Sequence, residues 1–322
     1  MKAFATLTAG AAFLAAPAFA ATVEDGIAYV LDAAGESIIV SRDLRNPSNS
    51  TRVSIMGPSA GFNLEAIAYR PATGGFIGWD DETDTVYGVD VRTGAVTALA
   101  SGADAPMSTN GGPVATTSPN VGVDFNNVLD AARIVSENGE NLVFFPDDFS
   151  APARQGTIDR FTDPFFVAGD VNAGELPQIV ANAYTNAVAN PSSTAQFVLL
   201  AGNEALGTLA NNDGDVVTIG GISVDGVNLV DINQTAGFDI LSLFDGDNLA
   251  FAQFVNAETN VSSLYVLELA AGANGFVNAT ELGSYGEVVR GLAVAPIPVP
   301  AAGLLLPAAL GGLVLMRRRR RA

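Results

Sequence analysis

The sequence predicts an all-β protein: a β-propeller of five blades, with six as the alternative, flanked by an N-terminal signal peptide and a C-terminal hydrophobic helix. Three observations predict it. Between Ala21 and Ala295 there is no long helical periodicity, only short β-rich runs cut by Gly, Asn, Asp and Thr. A four-residue signature recurs through that body. Three strand-like runs open the body, and a single one closes it.

The signature reads Ala66-Ile67-Ala68-Tyr69, Gly122-Val123-Asp124-Phe125, Ala181-Asn182-Ala183-Tyr184, Gly237-Phe238-Asp239-Ile240 and Gly291-Leu292-Ala293-Val294. Its starts lie 56, 59, 56 and 54 residues apart. Each copy begins with a small residue and most end in a large apolar one. Such a strand suits a crowded centre where backbones approach closely. The period is too long for one hairpin and fits a four-stranded blade with generous loops. Ahead of the first copy, residues 27–31, 37–41 and 51–55 read as strands; behind the last copy, 291–294 stands alone. Three strands and one make a blade, so pairing the N-terminal strands with the final strand closes the ring and hides both edges. Residues 75–79, 85–91 and 95–99 read as three strands in hairpins. Asn138-Gly139, Asp213-Gly214, Asp245-Gly246 and Asn274-Gly275 supply the positive φ of tight turns. Residues 101–120, rich in Gly, Pro, Ser and Thr, read as a long connection or an extra strand.

Charge narrows the function. The chain has 322 residues, 15 basic and 34 acidic. Lys2 and five terminal arginines set aside, the body holds nine basic residues against all 34 acids, a net of −25. Such a body repels phosphate backbones, so no nucleic-acid partner is expected. The acidity serves solubility or, alternatively, attracts divalent cations. Cysteine and histidine are both absent. That removes disulfides, thiolates, the usual zinc ligand and the usual general base. A lysine-based serine hydrolase is excluded too, because the single lysine lies in the leader.

The two ends read as addresses. Residues 1–20 form a signal peptide: Lys2 is the positive start, 3–16 the apolar stretch, and Ala18-Phe19-Ala20 the small-x-small site for signal peptidase. The mature body is then 21–295. In the tail, 296–322, Ile297-Pro298-Val299-Pro300 is stiff and extended. Residues 301–316 are uncharged and mostly apolar, followed by Arg317, Arg318, Arg319, Arg320 and Arg321. As a helix that segment would span about 24 Å against roughly 30 Å of hydrocarbon, short for a permanent anchor. Its arginines belong on the cytoplasmic side. This order resembles a VPLPA-type C-terminal signal of the PEP-CTERM class, with Pro298, Val299, Pro300, Ala301 and the arginine cluster as the sorting residues; Ile297 and Val299 stand where the motif has Val and Leu. The resemblance implies an exosortase-like processing enzyme, export across the inner membrane and transient anchoring there. Cleavage near the prolines and delivery to the cell surface or outside would follow. A simple tail anchor is the alternative.

The body, over about 26–295, resembles the bacterial family known as domain of unknown function 4394. The match rests on Val123-Asp124-Phe125-Asn126, Asp130, Arg133-Ile134-Val135-Ser136, Gly139 and Asn141-Leu142. Ala183-Tyr184-Thr185-Asn186 and Gly220-Gly221-Ile222-Ser223-Val224-Asp225 fit as well. Asn127 stands where the family usually has proline, and Ala131 and Val143 where it often has basic residues. The resemblance implies a repetitive β fold and no defined activity.

The candidate chemistry is sparse. Paired carboxylates among Asp124, Asp239 and Glu65 would suit a glycosidase; the preferred reading gives Asp124 and Asp239 backbone hydrogen bonds between blades. Residues 80–84, 211–215 and 245–248 carry oxygen donors for Ca²⁺, yet none completes an EF-hand and Asx-Gly runs are ordinary turns. Trp79, Tyr87, Phe144 and Phe145 offer a sugar-stacking face or, as preferred, core between blades. Arg133 is expected to pair with Asp124 or Asp130. The sequence therefore points to an exported, non-enzymatic propeller without a cofactor, Ca²⁺ being the open alternative. Its expected ligand is extracellular polysaccharide or a protein partner. A carboxylate-based glycosidase or lyase and a structural surface protein are the other readings.

Overall fold

The computed structural model describes residues 20–104, 107–108, 112–232, 235–256 and 258–298. Most of the expected signal peptide, including Ala18, lies outside them, as do Val299, Pro300, Ala301, the apolar segment 301–316 and Arg317 to Arg321. Among the described residues there are strands and short 3-10 turns, and no helix is long and apolar enough to cross a membrane.

The chain begins with β1 (Gly26–Asp32), β2 (Ser37–Ser41) and β3 (Ser50–Ser54), then β4 (Ala66–Arg70), β5 (Gly75–Asp80), β6 (Thr85–Val89) and β7 (Val96–Ser101). It continues through β8 (Met107–Ser108), β9 (Val121–Asn126), β10 (Ala131–Ser136), β11 (Asn141–Phe145) and β12 (Thr157–Arg160). After β13 (Phe165–Phe166) come β14 (Ile179–Tyr184), β15 (Gln196–Leu200), β16 (Ala205–Leu209) and β17 (Asp215–Ser223). The last are β18 (Gly237–Leu241), β19 (Leu249–Asn256), β20 (Val261–Ala271), β21 (Val277–Ser284) and β22 (Val289–Pro296). Strands β4–β7, β9–β12, β14–β17 and β18–β21 each form an antiparallel meander. The last two meanders touch through a short parallel pairing of Ile222 and Ser223 with Val277 and Asn278. The extra strand in the 101–120 stretch is β8, which pairs in parallel with β12.

The remaining sheet has the order β22-β1-β2-β3. Ala28 lies opposite Val294 and Tyr29 opposite Ala293, so the last strand of the body completes the sheet that the first strands began. The inner strands β22, β4, β9, β14 and β18 touch in that order, and β18 touches β22 again. The signature residues lie on these five strands, so the small-residue repeat marks the innermost strand of each sheet.

Strand periodicity builds the core between sheets. Along β1, Ile27, Tyr29 and Leu31 pack with Ile67 and Tyr87 of the following sheet, whereas Ala28 and Val30 pack with Leu241 and Phe251 on the other side. Successive side chains point to opposite faces, and both faces are covered. Equivalent apolar layers join Trp79 with Phe144, Val135 with Val198, and Leu199 with Phe238. Trp79, Tyr87, Phe144 and Phe145 are all buried, so they are core and not a sugar-stacking face. The four Asx-Gly turns have positive φ at Gly139, Gly214, Gly246 and Gly275. The body is propeller-like and its interior is layered.

Candidate functional site

The centre of the ring is packed shut. At the first signature position, a Cβ on Gly122 would lie 2.5 Å from the Asn182 backbone nitrogen, and one on Gly237 would lie 2.6 Å from the Gly291 carbonyl carbon. Small residues there let neighbouring inner strands touch backbone to backbone. The cavity left at the strand starts is about 10 Å³, no larger than one water.

Two carboxylates hold this ring together. Asp124 Oδ2 accepts the Tyr184 N–H at 2.6 Å, and Asp239 Oδ2 accepts the Val294 N–H at 2.5 Å. Both acids occupy the third signature position, and both bond the fourth position of the next inner strand. The other third positions are Ala68, Ala183 and Ala293. Burial pushes the Asp239 carboxyl up to about 7. Burial raises Asp124 well above the usual carboxylate range, and the charge of Asp239 adds to it. The expected backbone role of these acids is what the geometry displays.

Call the face where the inner strands begin the near face. There Glu65, just before β4, meets Asp80 and Asp81 at the turn after β5. Their carboxylate oxygens lie within 4.8 Å of one another. Glu65 Oε2 accepts the Asp81 N–H at 3.0 Å, and Asn63 Nδ2 donates to Oε1. Burial pushes Glu65 up to about 8, with Asp81 and Asp80 adding to the rise and Arg290 opposing it. Arg290 donates to the Pro119 carbonyl at 2.6 Å, and its Nε has no hydrogen-bond partner among the described residues. Asp80 shapes its own turn: Oδ1 accepts the Glu82 N–H at 3.0 Å and Oδ2 the Thr83 hydroxyl at 2.6 Å.

Several oxygens of the other Asx-rich segments accept hydrogen bonds from neighbouring parts of the body. Asn211 and Asn212 accept from Arg133, whose Nη1 reaches the Asn211 carbonyl at 3.2 Å and Nη2 the Asn212 side chain at 2.7 Å. Its Nε donates to the Tyr184 hydroxyl at 3.1 Å. Arg133 therefore pairs with neither Asp124 nor Asp130, against expectation. Buried among neutral carbonyl and amide acceptors from the next sheet, it satisfies its fork without a carboxylate. Asp130 instead binds Arg70, which also holds Asp148 at 2.6 Å. Asp245 accepts the Ser192 N–H at 2.8 Å, and Asn248 accepts the Asn186 N–H at 2.6 Å. Gly214 and Gly246, both with positive φ, place two of the three segments at tight turns, and in the third Asp80 and Asp81 stand with Glu65 as carboxylates that could share a metal ion.

An open depression lies on the opposite, far face, between the first two sheets. It measures about 590 Å³ and is walled by Tyr29, Tyr69, Phe76, Arg42 and Arg92. Tyr29 and Phe76 rings meet at 4.5 Å between centroids, and Tyr69 and Phe76 at 5.3 Å. An adjoining depression of about 240 Å³ shares Tyr29, Arg42, Val91 and Arg92, so the two form one trough with the arginines between them. Arg42 is exposed and makes no salt bridge among the described residues. The Arg92 side chain is 88% exposed and meets Asp90 only at 3.6 Å. The Asp90 carboxylate is held below the usual range by the Arg92 backbone N–H that it accepts at 2.9 Å. Two available cations beside aromatic faces are unusual on so acidic a body. Sequence reading missed this site because its walls come from β1, the β4–β5 hairpin and the loop after β6. The available signal was Arg42 and Arg92, each directly after a strand run in an arginine-poor body.

Inner strands in a ring, antiparallel meanders radiating from them and a sheet shared by both ends define a repetitive, propeller-like β protein. Within that class, the family model of the domain of unknown function DUF4394 matches residues 38–293, and the chain belongs to that family. No curated protein matches the chain in sequence. Among solved structures, it is similar to catalytically inactive virginiamycin B lyase from Staphylococcus aureus, at 9% identity and a TM-score of 0.39, over 88% of this chain and 74% of that one. It is similar to a chain of a nidogen/laminin complex at 13% identity and a TM-score of 0.43, over 85% and 81%. An auxiliary nutrient binding protein from Bacteroides thetaiotaomicron gives 14% identity and a TM-score of 0.36, over 73% and 55%.

Proposed function

We propose that the chain is an exported β-propeller of five blades that binds extracellular polysaccharide at the cell surface without reacting with it. Five inner strands and apolar layers between successive sheets support the blade count. The far-face trough carries the binding reading. The half-buried Tyr69 and Phe76 rings suit the apolar faces of sugar rings, with the buried Tyr29 backing them, and Arg42 and Arg92 suit carboxylate substituents on an acidic polymer. Engagement of Asp124 and Asp239 with neighbouring backbone favours binding over hydrolysis, and the reading assigns no cofactor. Signal peptidase at Ala18 and Ala20 and an exosortase-like enzyme at the Pro298–Ala301 stretch would deliver the body. Both ends of the body leave from the far face, where the Ile297 N–H donates to the Asp25 carbonyl at 2.8 Å.

The test is calorimetric titration of the folded body with an acidic polysaccharide and its carboxyl-reduced counterpart. Phe76→Ala and the Arg42→Gln/Arg92→Gln pair should each weaken binding by about tenfold, the loss of one hot-spot contact. No new reducing ends should form. Binding of neither polymer would overturn the reading, and equal binding of polyglutamate would reassign the trough to a protein partner.

A further inference from the structure

The Ala21 backbone nitrogen lies 3.0 and 2.9 Å from the two carboxylate oxygens of Asp247. An amide nitrogen has one hydrogen, which the two oxygens would have to share; an ammonium has three and can give each oxygen its own. Asp247 is 8% exposed and forms no salt bridge among the described residues. Its other donor is the Leu243 N–H at 3.2 Å. A carboxylate this buried gains from a cation placed to reach both its oxygens, where Asp124 and Asp239 have only backbone donors.

We infer that Asp247 receives the N-terminal ammonium of Ala21 once the Ala20–Ala21 bond is cut, and that this pair locks the ring closed. The inference rests on the export reading but not on the polysaccharide. In the cut, water adds across the peptide bond: its hydroxyl goes to the Ala20 carbonyl carbon, leaving a carboxylate. The Ala21 nitrogen departs as an amine and takes up a proton. Ala20 is exposed and Ala21 is half-buried, so the bond sits where the chain enters the body. The segment that follows is already tied to the closing sheet. The Asp25 carboxylate accepts the Thr22 N–H at 2.9 Å, and the Asp25 carbonyl accepts the Ile297 N–H at 2.8 Å. Asp247 lies in the β18–β19 turn of the preceding sheet, so the pair would bridge the first and last sheets. Before cutting, the same position offers a single N–H.

The experiment compares the body starting at Ala21 with one carrying a single extra glycine before Ala21, each with Asp247 and with Asp247→Asn. The native start should melt about 5 °C higher than the extended one, and Asp247→Asn should abolish that difference. Should Asp247→Asn fail to fold, acylation of the α-amine gives a second readout: at least tenfold slower for the native start than for the extended chain. Equal melting and equal acylation would overturn the role of Asp247. Mass spectrometry of the exported protein should show Ala21 first; any other start would overturn the assignment of the cut and the latch that depends on it.

Discussion

At the residue scale, Asp239 links a hydrogen bond to a pH profile. Its carboxyl titrates near 7 in the folded ring and near 3.8 in the open chain. Between those values the folded state holds a proton that the unfolded chain has released. Stability therefore falls as pH climbs from about 4 to about 7, by on the order of 3 kcal/mol for this group. Asp239→Asn removes that slope. At pH 5 the variant should be less stable by about 1 kcal/mol, because an amide nitrogen can face the Ile240 N–H that Asp239 Oδ1 accepts at 2.7 Å. By pH 8 the deficit should vanish or reverse, as read from urea midpoints at the two pH values. Glu65, raised to about 8, behaves in the same sense over a higher window. The melting temperature of Glu65→Gln, relative to the unsubstituted chain, should therefore rise between pH 6 and pH 9.

At the element scale, the inner strand explains why this fold could be read from its sequence. The first signature position must be small because a neighbouring backbone occupies the space of a side chain, so the constraint repeats with every sheet and leaves a period. Gly122→Ala should cost about 3 kcal/mol by forcing the Asn182 backbone aside. Gly246, with φ +90° and nothing within 4 Å of a Cβ, is constrained by conformation alone; Gly246→Ala should cost about 1 kcal/mol. Chemical denaturation of the two variants separates crowding from strain. Elements joined by side chains across long separations leave no such mark. Arg133 finds Asn211 and Asn212 some eighty residues on, and nothing near Arg133 announces them. The trough was hard to read for the same reason: Arg42 and Arg92 hint at it, but Tyr29, Tyr69 and Phe76 are ordinary strand residues until three segments converge.

At the scale of the whole molecule, the ring depends on its closure. β22 is at once the innermost strand of the first sheet and a neighbour of both β4 and β18. Without it, β1 presents a bare edge, Asp239 loses the Val294 N–H, and the Leu241 and Phe251 layer loses Leu292 and Val294. That edge invites intermolecular pairing. Ending the chain after Gly286 should therefore yield aggregates or a non-cooperative species. Ending it after Pro298, which keeps β22 whole, should leave one sharp transition within about 2 °C of the longer body. Scanning calorimetry with size-exclusion chromatography checks both. If the shorter chain stayed monomeric and cooperative, the last strand would be dispensable. The layers between neighbouring sheets, rather than the shared sheet, would then set the stability of the molecule.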